Sequence, residues 1–339
     1  MSRSSTSNSE PVNPDQAAGP SEQPPTKHAL PKAALGATLV VVVINLVAGR
    51  LIAQTDWLPS EPRALVTKQV DELRAGDGVW LLGSSTLAQG IDPEQFEDAS
   101  GADAAVLTLG SAGPVSLTEM ALKALDDNPD PPEAVYLFVF KDALNVNRPT
   151  IDNDRRYVAS LNEPTFAERV TSVAPVYNYR HSIKFNFRIA VAKVIAPGRL
   201  RDAEAKDVED KPMDRPNMTT LMDSGADFEV DLGKLDALAQ ACNERGVDLY
   251  VVVTPTAEAA INWQARYKPD LPYDKLISQL RERGERVGFG LVDFTGMFPS
   301  TTIYFRDPYH VRSDHMPALT EAFAQTVREH LDKRAATAD

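Results

Sequence analysis

Val79-Trp80-Leu81-Leu82, followed at once by Gly83-Ser84-Ser85-Thr86, is the stretch from which the rest of the chain is read. Four apolar residues in a row, with no alternating polar face, predict a buried strand; the glycine and serines predict a tight turn at its carboxyl end. Short apolar runs recur at Ala104–Leu109, Val135–Phe140, Val247–Thr254 and Leu291–Phe294. Helical patterns accompany them at 62–75, 116–126, 231–244, 273–287 and 317–334. The last places Leu319, Phe323 and Val327 at spacings of four, with Pro317 near its start. This alternation predicts an α/β fold, a three-layer sandwich around a mainly parallel five-stranded sheet. Sites in such sheets gather at the carboxyl ends of the strands. Ser85, Gly113 and Lys141 each fall just after a predicted strand, on one shared edge.

The amino-terminal part reads differently. Residues 1–32 hold six prolines and six serines without apolar periodicity, and are expected to be a disordered tail. Residues 33–53 carry Arg50 as their one charge. A helix of that length spans roughly 31 Å, about the hydrocarbon thickness of a bilayer. It is expected to be a single transmembrane anchor, with Arg50 snorkelling and Trp57 at the interface. A cleaved signal peptide fits less well, because Ala48-Gly49-Arg50 is a poor cleavage site and the preceding tail is long. A buried core helix is the other alternative. Lys27 and Lys32 precede the segment while Asp56 and Glu61 follow it, which predicts the tail in the cytoplasm and residues 54–339 outside.

Residues 54–339 are expected to form one α/β domain with an insertion at about 145–220, since the stretch between Phe140 and Val247 is too long for one crossover. Helical stretches are expected there near 164–172 and 179–195, and a charged surface loop at Arg199–Arg215. The whole chain carries −13 and residues 1–53 carry +1, leaving −14 on the domain. A surface so acidic is repelled by phosphate backbones, so no nucleic-acid partner is expected. Cys242 is the single cysteine, which excludes a disulfide within the chain or a cysteine zinc site. Gly110 and Gly113 lack the spacing of a dinucleotide fingerprint, and no cofactor is expected. A metal site built from Asp307, His310, Asp314 and His315 is disfavoured, because histidines five apart do not share a helical face.

The chemistry-bearing pattern joins the two ends of the domain. Asp307-Pro308-Tyr309-His310 places a carboxylate three residues before an imidazole, within reach to orient it. A serine hydroxyl is a poor nucleophile until such a base takes its proton. Ser85, His310 and Asp307 supply nucleophile, base and orienting group. The other histidines compete less well: His28 lies in the tail, His181 in the insertion, and His330 on an expected helix surface. His315 is the one rival base.

These residues resemble the blocks of the SGNH (GDSL-like) hydrolase superfamily, whose flavodoxin-like sandwich matches the expected layers. Gly83-Ser84-Ser85-Thr86 stands where that family has Gly-Asp-Ser-Leu, and looks like the variant of membrane-anchored members that acylate or deacylate cell-envelope polymers. The resemblance implies Ser85 as nucleophile and oxyanion donor, Gly113 as the oxyanion glycine, His310 as base and Asp307 as its partner. The third block departs from the pattern: Val139-Phe140-Lys141-Asp142 stands in place of Gly-x-Asn-Asp. Lys141, or Asn145 or Asn147 from the following loop, is then expected to donate instead of the missing asparagine. The implied function is an extracytoplasmic serine esterase or O-acyltransferase working on a glycan or envelope polymer, with an integral-membrane acyl donor as an implied partner. A lipolytic esterase, or a degenerate scaffold on the same fold, are the alternatives.

Overall fold

The computed structural model of the chain describes residues 39, 40, 43, 62–126, 128–146, 151–163, 230–267 and 272–338. The expected tail, most of the expected anchor, the helices expected near 164–172 and 179–195, and the charged loop 199–215 lie outside the described residues. Leu39, Val40 and Val43 are helical and exposed. No helix among the described residues is long and apolar enough to cross a membrane.

The domain opens with α1 (Pro62–Ala75) and β1 (Val79–Gly83), then two short helices, α2 (Ser85–Ala88) and α3 (Pro93–Ser100). β2 (Ala104–Thr108), α4 (Pro114–Asp126) and β3 (Ala134–Val139) follow, with a 3₁₀ turn at Lys141–Leu144 and α5 at Ile151–Leu161. After the insertion come α6 (Gly233–Glu244), β4 (Asp248–Val253), α7 (Glu258–Tyr267), α8 (Tyr273–Val287) and β5 (Gly290–Asp293). A small hairpin, β6 (Phe305–Asp307) and β7 (His310–Val311), leads through a 3₁₀ turn at Ser313–His315 into α9 (Met316–Ala338).

The five main strands form one parallel sheet in the order β2-β1-β3-β4-β5. Both β1 and β3 are buried along their whole length, as a continuous apolar run requires when no face meets water. Alternate residues serve alternate layers. Trp80, Leu82, Val135, Leu137 and Val251 meet α1, α4, α6 and α8 on one face. Val79, Leu81, Tyr136, Phe138 and Val252 meet α3 and α9 on the other. Phe323 of α9 is the hub of that second face: its ring lies 5.3 Å from Phe96, 4.9 Å from Phe138 and 5.3 Å from Tyr136, edge-on to the last two. Cys242 is buried on α6, and burial pushes its thiol up to about 12, with Asp248 adding to the shift and Arg245 opposing it.

The strand order reverses direction beside β1, the place where doubly wound sheets leave a crevice at their carboxyl ends. The insertion leaves that same edge. Its two roots are tied together by an antiparallel bridge between Asn145 and Val230, so the excursion starts and ends at one point. Truncating the hub tests the two-faced core. Phe323→Ala is expected to lower unfolding stability by about 3–5 kcal/mol. A denaturant titration should show the loss as a lower midpoint at unchanged slope.

Candidate active site

Ser85 is the first residue of α2, directly after β1. The chain turns sharply here because Gly83 has no side chain. A Cβ at Gly83 would lie 2.5 Å from Leu87 Cβ and 3.1 Å from Phe138 Cβ, so only glycine lets α2 fold back onto the strand end. Buried Leu87 locks that return. Ser84 O accepts the amides of Leu87 and Ala88 at 3.1 and 3.2 Å, and Ser85 O accepts Gln89 N at 3.0 Å. As the first residue of a helix, Ser85 has no intrahelical acceptor for its own N–H.

The base arrives from the β6–β7 hairpin. Asp307 Oδ1 accepts the amides of Tyr309 and His310, each at 3.1 Å, which closes a tight turn around the carboxylate. Three anchors fix the hairpin over the sheet edge. Phe305 and Val311 are buried in the second core face. The buried Tyr309 ring packs 4.7 Å from Phe140, just beyond β3. Pro308 O accepts Ala257 N at 2.9 Å, from the loop after β4. The hairpin tip therefore rests on the loops that leave the two central strands.

Three side chains meet as a result. His310 Nε2 lies 2.8 Å from Ser85 Oγ, across 225 positions of sequence. His310 Nδ1 lies 2.8 Å from both oxygens of Asp307. With a neutral imidazole, Nδ1–H donates to the carboxylate and bare Nε2 accepts the serine hydroxyl, the arrangement a general base needs. Burial raises the Asp307 carboxyl, but the hydrogen bond and charge of His310, the Tyr309 amide and Arg306 outweigh it and hold the group below the usual carboxylate range. Both ring nitrogens of His310 are thus engaged by protein, and no three His, Cys, Asp or Glu side chains among the described residues converge as metal ligands.

The remaining sequence candidates fall out unequally. Gly113 is in place after β2, but its N–H donates to Asp154 Oδ1 at 2.6 Å. It could serve an oxyanion only if that bond broke, because an amide has one proton. Lys141 is 1% exposed at the start of the 3₁₀ turn after β3, at the same sheet edge. Asn145 is buried, and its backbone forms the bridge at the root of the insertion. Asn147 and His181 lie outside the described residues. His315, the rival base, packs its ring 4.4 Å from Tyr304 and 6.0 Å from Phe298 instead of meeting Ser85. His330 is half-buried, not on an open helix surface: it stacks 4.0 Å from the Tyr250 ring, and burial lowers its pKa, helped by Lys333.

Asp154 was not singled out by sequence reasoning. It sits in Asp152-Asn153-Asp154-Arg155-Arg156, which reads as a solvated charged run. In the fold it is 1% exposed and also accepts Ser116 Oγ at 2.6 Å, capping the amino end of α4 from another helix. A buried carboxylate whose partners come from distant segments has no sequence signal of its own.

The depressed Asp307 carboxyl makes stability depend on pH in a definite direction. Its folded value lies below the unfolded one, so its contribution is complete above about 3.9 and is lost as pH falls through the lower folded value. The stability gap between wild type and Asp307→Asn, read from denaturant titrations, is expected to be widest above about pH 5 and to shrink toward pH 2. A gap constant over that interval would show that the carboxylate gains nothing from its partners.

No protein-family model matches the chain, and no curated protein matches it significantly. The geometry of Ser85, His310 and Asp307 therefore carries the functional argument alone.

Proposed function

We propose that this chain is a serine-dependent acyl-transfer enzyme of the SGNH type, an esterase or O-acyltransferase that works through an acyl-Ser85 intermediate. The observation that carries the reading is the continuous chain of contacts from Ser85 Oγ through His310 to Asp307, each 2.8 Å long. Ser85 Oγ attacks the ester carbonyl carbon as His310 Nε2 takes the hydroxyl proton. The negative charge passes to the carbonyl oxygen, and the family resemblance gives the Ser85 N–H as a donor to it. Collapse breaks the bond to the alkoxide, which leaves with the proton from His310. A second hydroxyl, from water or an acceptor, then loses its proton to His310 and attacks the acyl-serine. Collapse then breaks the bond to Ser85 Oγ, which takes back the proton from His310 and restores free serine.

The features that support this reading are Ser85 at the end of β1 of a parallel sheet and an Asp-x-x-His element just ahead of the last helix. The reading extends to a membrane-anchored protein with residues 54–339 outside the cytoplasm, acting on an envelope glycan beside a membrane acyl donor. The support for that extension is the apolar segment 33–53, the acidic domain and the insertion at the catalytic edge.

A second reading, a binding or scaffold protein on the same fold, draws on two observations. Lys141 stands where an oxyanion asparagine is expected, and the Gly113 amide is already bonded to Asp154. Losing one oxyanion donor costs about 10²–10³ in rate, which weakens an enzyme without abolishing it. Covalent labelling of the full-length protein with a fluorophosphonate separates the two. Labelling is expected at Ser85, absent in Ser85→Ala, and slowed about 10²–10⁴-fold in His310→Ala. Intact, folded protein that does not label would favour the scaffold.

A further inference from the structure

The loop that follows β2, Gly110-Ser111-Ala112-Gly113, borders the turn that carries Ser85. Gly83 pairs with Thr108, and Leu109 N donates to Gly83 O at 3.2 Å, so the loop leaves the sheet level with the root of the Ser85 turn. Its backbone is strained. Ser111 has φ of 60°, the only positive φ at a non-glycine residue among those described. A left-handed conformation at such a residue persists only where its surroundings hold it.

What holds it comes from the insertion. Asp154 and Tyr157 are three residues apart on α5 and share a face of that helix. Tyr157 Oη donates to Gly110 O at 3.1 Å, at the start of the loop. Asp154 Oδ1 accepts Gly113 N at 2.6 Å, at its end, and Ser116 Oγ in the first turn of α4. Burial, with the Asp154 charge added, raises the Tyr157 hydroxyl, so it stays protonated and able to donate. One helix thus grips both ends of a four-residue loop. The helix is itself fastened to the domain, because Arg63 of α1 donates to Ser160 O at 2.9 Å and also to Asn162 O.

The grip commits the Gly113 amide to Asp154. Gly110 N–H and Ser111 N–H, in contrast, donate to no acceptor among the described residues.

We propose that Asp154 and Tyr157 are positioning residues that clamp the 110–113 loop beside Ser85, so that the insertion, through α5, sets how reactive the serine is. The proposal rests on the acyl-transfer reading for its catalytic consequence, but not for the clamp itself. Anything that moves α5 would reach the 110–113 loop through these two contacts.

The test compares full-length wild type, Asp154→Ala, Asp154→Asn and Tyr157→Phe by two readouts. Amide hydrogen exchange is followed in peptides covering 109–116 and, as an internal reference, 134–139. Fluorophosphonate labelling of Ser85 is followed as a rate against pH. Asp154→Ala is expected to speed exchange in the loop and not in β3, and to slow labelling about 10–100-fold with an unchanged pH midpoint. Asn keeps an acceptor oxygen, so Asp154→Asn is expected to restore labelling to within about threefold of wild type, and Tyr157→Phe to give an intermediate loss of about 3–10-fold. A general loss of packing would instead speed exchange in both regions, and overturns the proposal. So does unchanged loop exchange, or labelling in Asp154→Ala as fast as wild type. Faster labelling would overturn it in the opposite sense, making Asp154 a plug on the Gly113 amide. If wild type itself fails to label, the acyl-transfer reading falls, and loop exchange alone decides the clamp: accelerated exchange in Asp154→Ala keeps it, unchanged exchange removes it.

Discussion

A parallel strand without a polar face has to be covered on both sides, and β1 imposes that condition on everything around it. All five of its residues are buried. Trp80 and Leu82 demand one helical layer, and Val79 and Leu81 demand another. Once both layers are in place, the irregular backbone is left to the two ends of the sheet. The turn after β1, the loop after β2, the 3₁₀ turn after β3 and the hairpin tip all gather at one end. The contact of Ser85 with His310, across 225 positions of sequence, forms at this end of the sheet.

The parts legible in the sequence were those with a period or a fixed short spacing. Continuous apolar runs gave β1 and β3 to within a residue, and the helices at 62–75 and 273–287 coincide with α1 and α8. Asp307 and His310 were readable as a pair because three residues suffice for a carboxylate to turn back on an imidazole. The hairpin that carries them was not, since strands of three and two residues have no pattern to detect. Helices α3, α5 and α7 were missed for a related reason: eight to eleven residues with a narrow buried face resemble polar loops. Asp154 lay beyond any reading of spacing. Its role depends on the amide of Gly113, 41 residues away, which is a fact of packing and not of pattern.

Electrostatics divide the site into two kinds of carboxylate. Asp307 is held low by neighbours that all favour its charge, so it keeps His310 in one tautomer without competing for the proton. Asp154 accepts an amide and a hydroxyl at the positive end of α4, and in the proposed clamp its task is mechanical. Asp307 is hydrogen-bonded to the imidazole that meets Ser85, and Asp154 to the loop that borders the Ser85 turn. Lys141 is buried at the same sheet edge, in the turn after β3.

Cys242 gives the chain an internal clock. Its sulfur is sealed between α6 and the sheet, and burial holds the thiol protonated far above neutrality, so alkylating reagents find neither access nor thiolate in the closed protein. With no second cysteine to confuse the signal, alkylation reports openings that expose this one buried site. The chain therefore reports by simple mass change how often its core is open, or, where alkylation outpaces reclosing, how fast it opens.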